Sequence, residues 1–257
     1  MSKARTTRTR RLNLLALAIL VGVRINQPQN RGSWLFFAWG LTSFLTADIT
    51  YYILELLAGD KGPAFPSIAD FFYLCMYPLV IFGLVKMLRE VAPGRDYASL
   101  IDAAVVGISI FGTVWVVWVD DVVDAPFDSV AGLVTQVAYP VMDVALFTVA
   151  ARLVVGLHLR HKPLAFIVAA LGSLAIADTA YGFYNTQGTF ETGMYVDFFW
   201  LGFYVLFGAA ALHPASSRPG VADELVEGRL TGRQLVIMFV ATLGVPMVDL
   251  FWGTPAD

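Results

Sequence analysis

Charge and cysteine are what this chain has least of. Only 14% of its 257 residues are Asp, Glu, Lys or Arg, against about 25% in a soluble globular domain. A single cysteine, Cys75, excludes an intramolecular disulfide and a multi-cysteine metal site, and leaves the redox compartment open. No HExxH, GxSxG, Walker loop, CxxC or double-glycine dinucleotide pattern occurs. The chain is therefore expected to be no enzyme by itself and to need no cofactor; nothing in it names a metal. No lysine falls mid-span in the last two hydrophobic segments, which argues against a retinal Schiff base. The three histidines (His158, His161, His213) lie at the polar ends of hydrophobic runs and read as headgroup-level residues.

What is there is hydrophobic sequence: 58% apolar residues and a mean hydropathy of +0.68. A spanning helix needs roughly 20 mostly apolar residues. By that rule segments fall at 12–25, 33–58, 69–88, 97–119, 129–157, 163–186, 195–213 and 233–253. The expected fold is all-α, a polytopic transmembrane bundle of seven or eight helices forming one membrane domain over 1–257. The longest polar stretch, His213 to Arg233, has room for at most a short interfacial helix.

Orientation follows from the cations. With Lys86, Arg89 and Arg95 inside, Arg160, Lys162, Arg218, Arg229 and Arg233 also fall inside. The opposite loops carry Asp120, Asp121, Asp124, Asp128 and Glu191, with Lys61 their sole cation. The basic arm "MSKARTTRTRR" and the later "RINQPQNR" flank the first segment. One of them lies outside if that segment spans; both lie inside if it only dips into the inner face. Anionic lipid is a better partner for this arm than nucleic acid, because the arm adjoins a bilayer.

The chain repeats itself. Shifted by 130 residues, Leu41, Ser43, Ala47, Asp48 and Tyr51 meet Leu171, Ser173, Ala177, Asp178 and Tyr181. Shifted by 127, "DFFYLCMY" at 70–77 meets "DFFWLGFY" at 197–204. Matching segments cross in the same direction, so the expected architecture is two parallel repeats, one about 12–119 and the other about 129–253.

Both repeats put acids and aromatics at helical spacing. Asp48, Tyr51, Tyr52 and Glu55 share a face, as do Asp178, Tyr181, Gly182 and Asn185. Asp70, Tyr73 and Tyr77 repeat the device, as do Asp197, Trp200 and Tyr204. An aspartate at mid-helix costs about 2.5–3.5 kcal/mol on insertion scales, so it faces protein or water in preference to lipid. Two readings follow: interhelical hydrogen bonding that holds a duplicated scaffold together, or an outward-facing pocket for a proton, cation or small polar ligand. Asp143, one turn after Tyr139 and beyond Pro140, forms a separate, secondary polar site. Asp102 and Asp249 read as solvated span ends, and Ala169, Ser173 and Ala177 as a close-packing stripe.

The stretches "AILVGVRINQPQNRGSWLFFAWG", "PSIADFFYLCMYPLVIFGL", "LIDAAVVG", "AYPVMD" and "DFFWLGFYVLFGAAALHP" resemble the multi-span N-terminal region of actinobacterial membrane GGDEF and EAL proteins, which make or degrade cyclic di-GMP. The resemblance runs from about residue 15 to 250. It implies a sensory or anchoring module of the bacterial cytoplasmic membrane, partnered by a cytoplasmic signalling domain or by a second copy. This chain carries no GGDEF or EAL residues, so a truncated or separately encoded module is expected. The expected role is signal input; the alternative is a small transporter or channel built from duplicated four-helix halves.

Overall fold

The computed structural model describes residues 19–28, 31–59, 63–91, 129–156, 161–186, 189–190 and 193–217. Its elements are α1 (Arg31–Ala58), α2 (Ile68–Val91), α3 (Val130–Gly156), α4 (Lys162–Thr186), α5 (Val196–Leu212) and a 3-10 turn at Pro214–Ser217. Residues 19–26 are also helical, and there is no strand among the described residues. The five helices fall within three residues of the segments expected at 33–58, 69–88, 129–157, 163–186 and 195–213. The segments expected at 97–119 and 233–253, most of 12–25, and Asp102 and Asp249 lie outside the described residues. Helices α1 to α4 are long and apolar enough to cross a bilayer, the mark of a multi-pass membrane protein; α5 is apolar but shorter.

Helices are the expected solution here because hydrocarbon offers no partner to a free N–H or C=O. Several of the ends, where four such groups remain, have identifiable caps. Ser67 and Asp70 form a reciprocal cap at the start of α2. The Ser67 N–H donates to Asp70 Oδ2 at 2.7 Å, and the Ala69 N–H donates to Ser67 Oγ at 3.2 Å. Ser129 caps α3 by accepting the Gly132 N–H at 3.0 Å. At the far end of α5, Asn26 donates its amide to the carbonyls of Ala211 (2.9 Å) and His213 (3.3 Å), tying the 19–26 stretch to that terminus. His161, just before α4, joins the same corner through Nε2 and the Ala215 carbonyl, 3.1 Å apart.

Two close-packed pairs make the bundle, α1 with α2 and α4 with α5; α3 leans on α2 and touches α4 lightly. Small residues let each pair approach. A Cβ on Gly83 would lie 2.5 Å from Phe37 Cε1 and 3.1 Å from the Ser33 carbonyl oxygen; one on Gly202 would lie 2.6 Å from Ser173 Oγ. Serine hydroxyls cross both seams: Ser43 donates to the Phe72 carbonyl and Ser173 to the Phe199 carbonyl, each at 2.7 Å. In the expected stripe, Ala177 is buried and Ser173 makes this bond, but Ala169 is exposed and Ala170 takes the buried place. The difference is the 3.6-residue period, which carries a strict four-residue spacing off the face.

Aromatic rings join the two pairs. Phe37 meets Phe207 at 5.2 Å between centroids, and Phe44 meets Phe203 at 5.7 Å and Tyr204 at 5.4 Å. Lipid tails are as apolar as these side chains, so close van der Waals contact and hydrogen bonds hold the helices together, not escape from water. Two helices contain a proline beyond their first turn, Pro78 in α2 and Pro140 in α3. Each lacks an N–H, and so leaves the carbonyl four residues earlier, Leu74 or Gln136, without its helical donor.

Gly83→Val is expected to destabilise the folded protein by about 1–3 kcal/mol through overpacking against Phe37. Gly172→Ala, where an added Cβ meets nothing within 4 Å, is expected to match the wild type or exceed it slightly. Thermal unfolding of both variants in detergent checks the contrast; equal melting temperatures would contradict the close α1–α2 approach.

Candidate functional site: a carboxylate seam between the helices

The recurring acids gather at one end of the bundle, where α1 and α4 finish and α2, α3 and α5 begin. Asp48, just past the middle of α1, lies between two other helices. Its Oδ1 accepts the Tyr73 hydroxyl from α2 and its Oδ2 the Tyr204 hydroxyl from α5, both at 2.9 Å. Tyr204 is 1% exposed and Phe44 packs on both tyrosine rings, so these bonds form in a low-dielectric interior. Asp70 serves twice. Oδ2 closes the α2 cap with Ser67, while Oδ1 accepts the Tyr139 hydroxyl of α3 at 2.7 Å.

Asp178 stands in α4 where Asp48 stands in α1. Its Oδ1 accepts the indole N–H of Trp200, from α5, at 2.9 Å. Trp200 in turn packs on Tyr181 and Phe190, centroids 5.7 and 6.3 Å away, which roofs that bond with rings. The secondary site expected at Tyr139 and Asp143 does not stand apart from the main set. Asp143 lies within hydrogen-bonding reach of both the Tyr77 hydroxyl and the Asp178 carboxyl. Tyr77, on α2, is almost fully buried.

Asp197 makes a local contact. Its Oδ2 accepts the Gly193 N–H at 3.0 Å, fastening the turn before α5. Negative charge in a first helical turn is favourable there, as it is for Asp70. Tyr51, Tyr181 and Asn185 are exposed and Glu55 is partly exposed, forming a rim beyond the buried contacts. Near them the Tyr184 and Tyr195 hydroxyls hydrogen-bond to each other, and this bond raises the Tyr195 phenol above its ordinary pKa.

The seam thus unites Asp48, Tyr73 and Tyr204; Asp70 and Tyr139; and Asp143, Asp178, Tyr77 and Trp200. Partners not foreseen from spacing are Ser67, whose S-x-x-D pattern before a hydrophobic run is a capping signal, and Asn26. Among the described residues, no group of three His, Cys, Asp or Glu side chains is placed to hold a metal ion. Chemically, these carboxylates, hydroxyls and the indole can hold charge or a proton between helices. Comparison with family models, curated proteins and solved structures finds no match.

Removing one hydroxyl from the Asp48 bridge is expected to weaken it measurably. Tyr204→Phe and Tyr73→Phe are each expected to lower unfolding free energy by about 0.5–2 kcal/mol. Combined with Asp48→Asn in a double-mutant cycle, either should show non-additivity. Strictly additive losses in mixed-micelle unfolding would mean the bridge contributes nothing.

Proposed function

We propose that the chain is a signal-input module of the bacterial cytoplasmic membrane, built as two same-orientation repeats of a seven- or eight-helix bundle. The observation that carries this reading is the Asp48 bridge. One carboxylate accepts from Tyr73 in its own unit and from Tyr204 in the other, so a change of charge or occupancy at this level alters how the two units sit together. A ligand or proton that favours one packing shifts the population, and the inner helix ends carry that shift to an output domain.

Paired contacts support the duplication. The Ser43–Phe72 and Ser173–Phe199 bonds are equal in length and fall at matched positions of the two repeats. So do the Asp48–Tyr73 and Asp178–Trp200 bonds, both 2.9 Å. The exposed rim of Tyr51, Glu55, Tyr181 and Asn185 offers polar and aromatic surface to a small polar or cationic ligand arriving from outside. The resemblance to the membrane region of GGDEF and EAL proteins supports a cyclic di-GMP enzyme as the output. A second reading, a small transporter or channel, is favoured by Asp143 and Asp178, since buried acids within a bundle mark ion pathways in many membrane proteins.

For a sensor, the protein in proteoliposomes is expected to move no protons or alkali cations under an imposed gradient. Its melting temperature should nonetheless respond to pH or to an added cation. Asp48→Asn combined with Asp178→Asn is expected to abolish that response. Flux above empty liposomes would replace the sensor by the transporter. An unchanged response in a well-folded double variant would leave the carboxylates as packing groups only. A native reading frame that continues into GGDEF or EAL sequence is the expected genetic context.

A further inference from the structure

Asp143 and Asp178 differ from the other acids that join helices in the seam. Asp48 and Asp70 have protein donors on both oxygens. Asp143 and Asp178 face each other within hydrogen-bonding reach, yet each keeps one buried oxygen, Oδ1 of Asp143 and Oδ2 of Asp178, with no partner among the described residues. Parts of both residues retain some exposed surface; these carboxyl oxygens do not. Each carboxyl is also held by a donor from a third helix, Asp178 by the Trp200 indole and Asp143 by the Tyr77 hydroxyl.

We infer that Asp143 and Asp178 share a single proton, forming a buried acid–carboxylate pair that latches α3 to α4. The chemistry is a matter of counting donors. Both free oxygens are acceptors, and two acceptors repel unless a hydrogen lies between them. One proton converts one carboxyl to an O–H donor and satisfies both oxygens at once. Two adjacent charges in a low-dielectric interior are strongly disfavoured, so the first proton is held tightly and the pair retains one negative charge. The remaining charge is met by the Trp200 N–H and the Tyr77 O–H, donors that stabilise a carboxylate.

The groups acting on the pair from its surroundings are phenols: Tyr77 from α2, Tyr139 from α3 and Tyr181 from α4. No cationic side chain among the described residues acts on either carboxyl. Neutralisation by a lysine or arginine is therefore not what holds the pair together. Helix α3 touches α4 only lightly, so this shared hydrogen is a large part of their attachment. When the proton leaves for water, two like charges face each other across a thin contact, and α3 is pushed off α4. The inference goes beyond signal input, because the pair holds its proton whether the chain senses or transports.

Infrared spectroscopy of the full chain in lipid nanodiscs tests this. At neutral pH the wild type should show the carbonyl stretch of a protonated carboxylic acid, shifting in deuterium oxide. Asp143→Asn and Asp178→Asn should each remove it, because the amide N–H supplies the missing donor and the remaining partner becomes a plain carboxylate. Wild-type stability should fall as pH rises through loss of this proton, since the folded state then binds more protons than the unfolded one. Both single variants should flatten that dependence. An absent acid band in the wild type at neutral pH, or its survival in both variants, overturns the inference. So does a stabilisation by sodium that either variant abolishes, in the absence of the acid band, since a metal cation would then occupy the pair. Should neither variant fold, the wild-type spectrum alone decides: an acid band that disappears on alkaline titration, together with stability, is the expected result, and no such band is the contrary one.

Discussion

The bridge at Asp48 is the interaction on which the arrangement of the helices turns. A carboxylate inside a bundle is unfavourable unless donors meet it, and the two that do come from different helices. Their hydroxyls therefore fix the height of α2 and α5 against α1, and Phe44, lying on both rings, fixes their rotation. Apolar side chains alone would tolerate sliding, because one lipid-like contact resembles the next. A short hydrogen bond does not. The serine bonds within each helix pair act on the same axis and set the register of the close seams.

Around this anchor the seam divides by chemistry. Carboxylates met by donors serve packing and capping: Asp70 starts α2 while holding α3, and Asp197 fastens the turn before α5. Asp143 and Asp178 instead lie within hydrogen-bonding reach of each other, each with one buried oxygen that no donor among the described residues meets. The first group has its charge met by protein donors; the second depends on a proton held between its two members. Rigid scaffold and responsive element thus lie within one continuous layer, and the responsive part sits where the helix packing is thinnest.

Much of this was legible in the order of residues, and the limits of legibility have a physical cause. Helix positions came from hydrophobic length, which a bilayer imposes directly, so for the five described helices the expected and observed bounds differ by three residues at most. The acids of the seam were visible by spacing along single helices, because i, i+3 and i+4 neighbours are set by local geometry. Which acid meets which tyrosine was not. Asp143 reaches Asp178 and Tyr77 through the packing of three helices, a relation that no one helix contains. Asp197 adds a local contact that its helical period did not announce: its place in the first turn of α5 gives it a backbone donor four residues back. Asn26 lies in "RINQPQNR", read only as a basic flank of the first segment, and its contact depends on the carbonyls of a helix some 185 positions later.

The two prolines carry a mechanical consequence. Pro78 directly follows Tyr77 and Pro140 directly follows Tyr139, so each sits beside a hydroxyl that grips a carboxylate. A helix is least stiff in bending where a rung of its ladder is missing. In α2 and α3 that weak rung spans the turn just before each proline, at the level of the seam itself. A force arising at the carboxylates would be taken up as an angle between the two halves of such a helix, each half a lever about its proline. A displacement of a fraction of an ångström at the seam would grow with distance along that lever, and be largest at the far end of the helix.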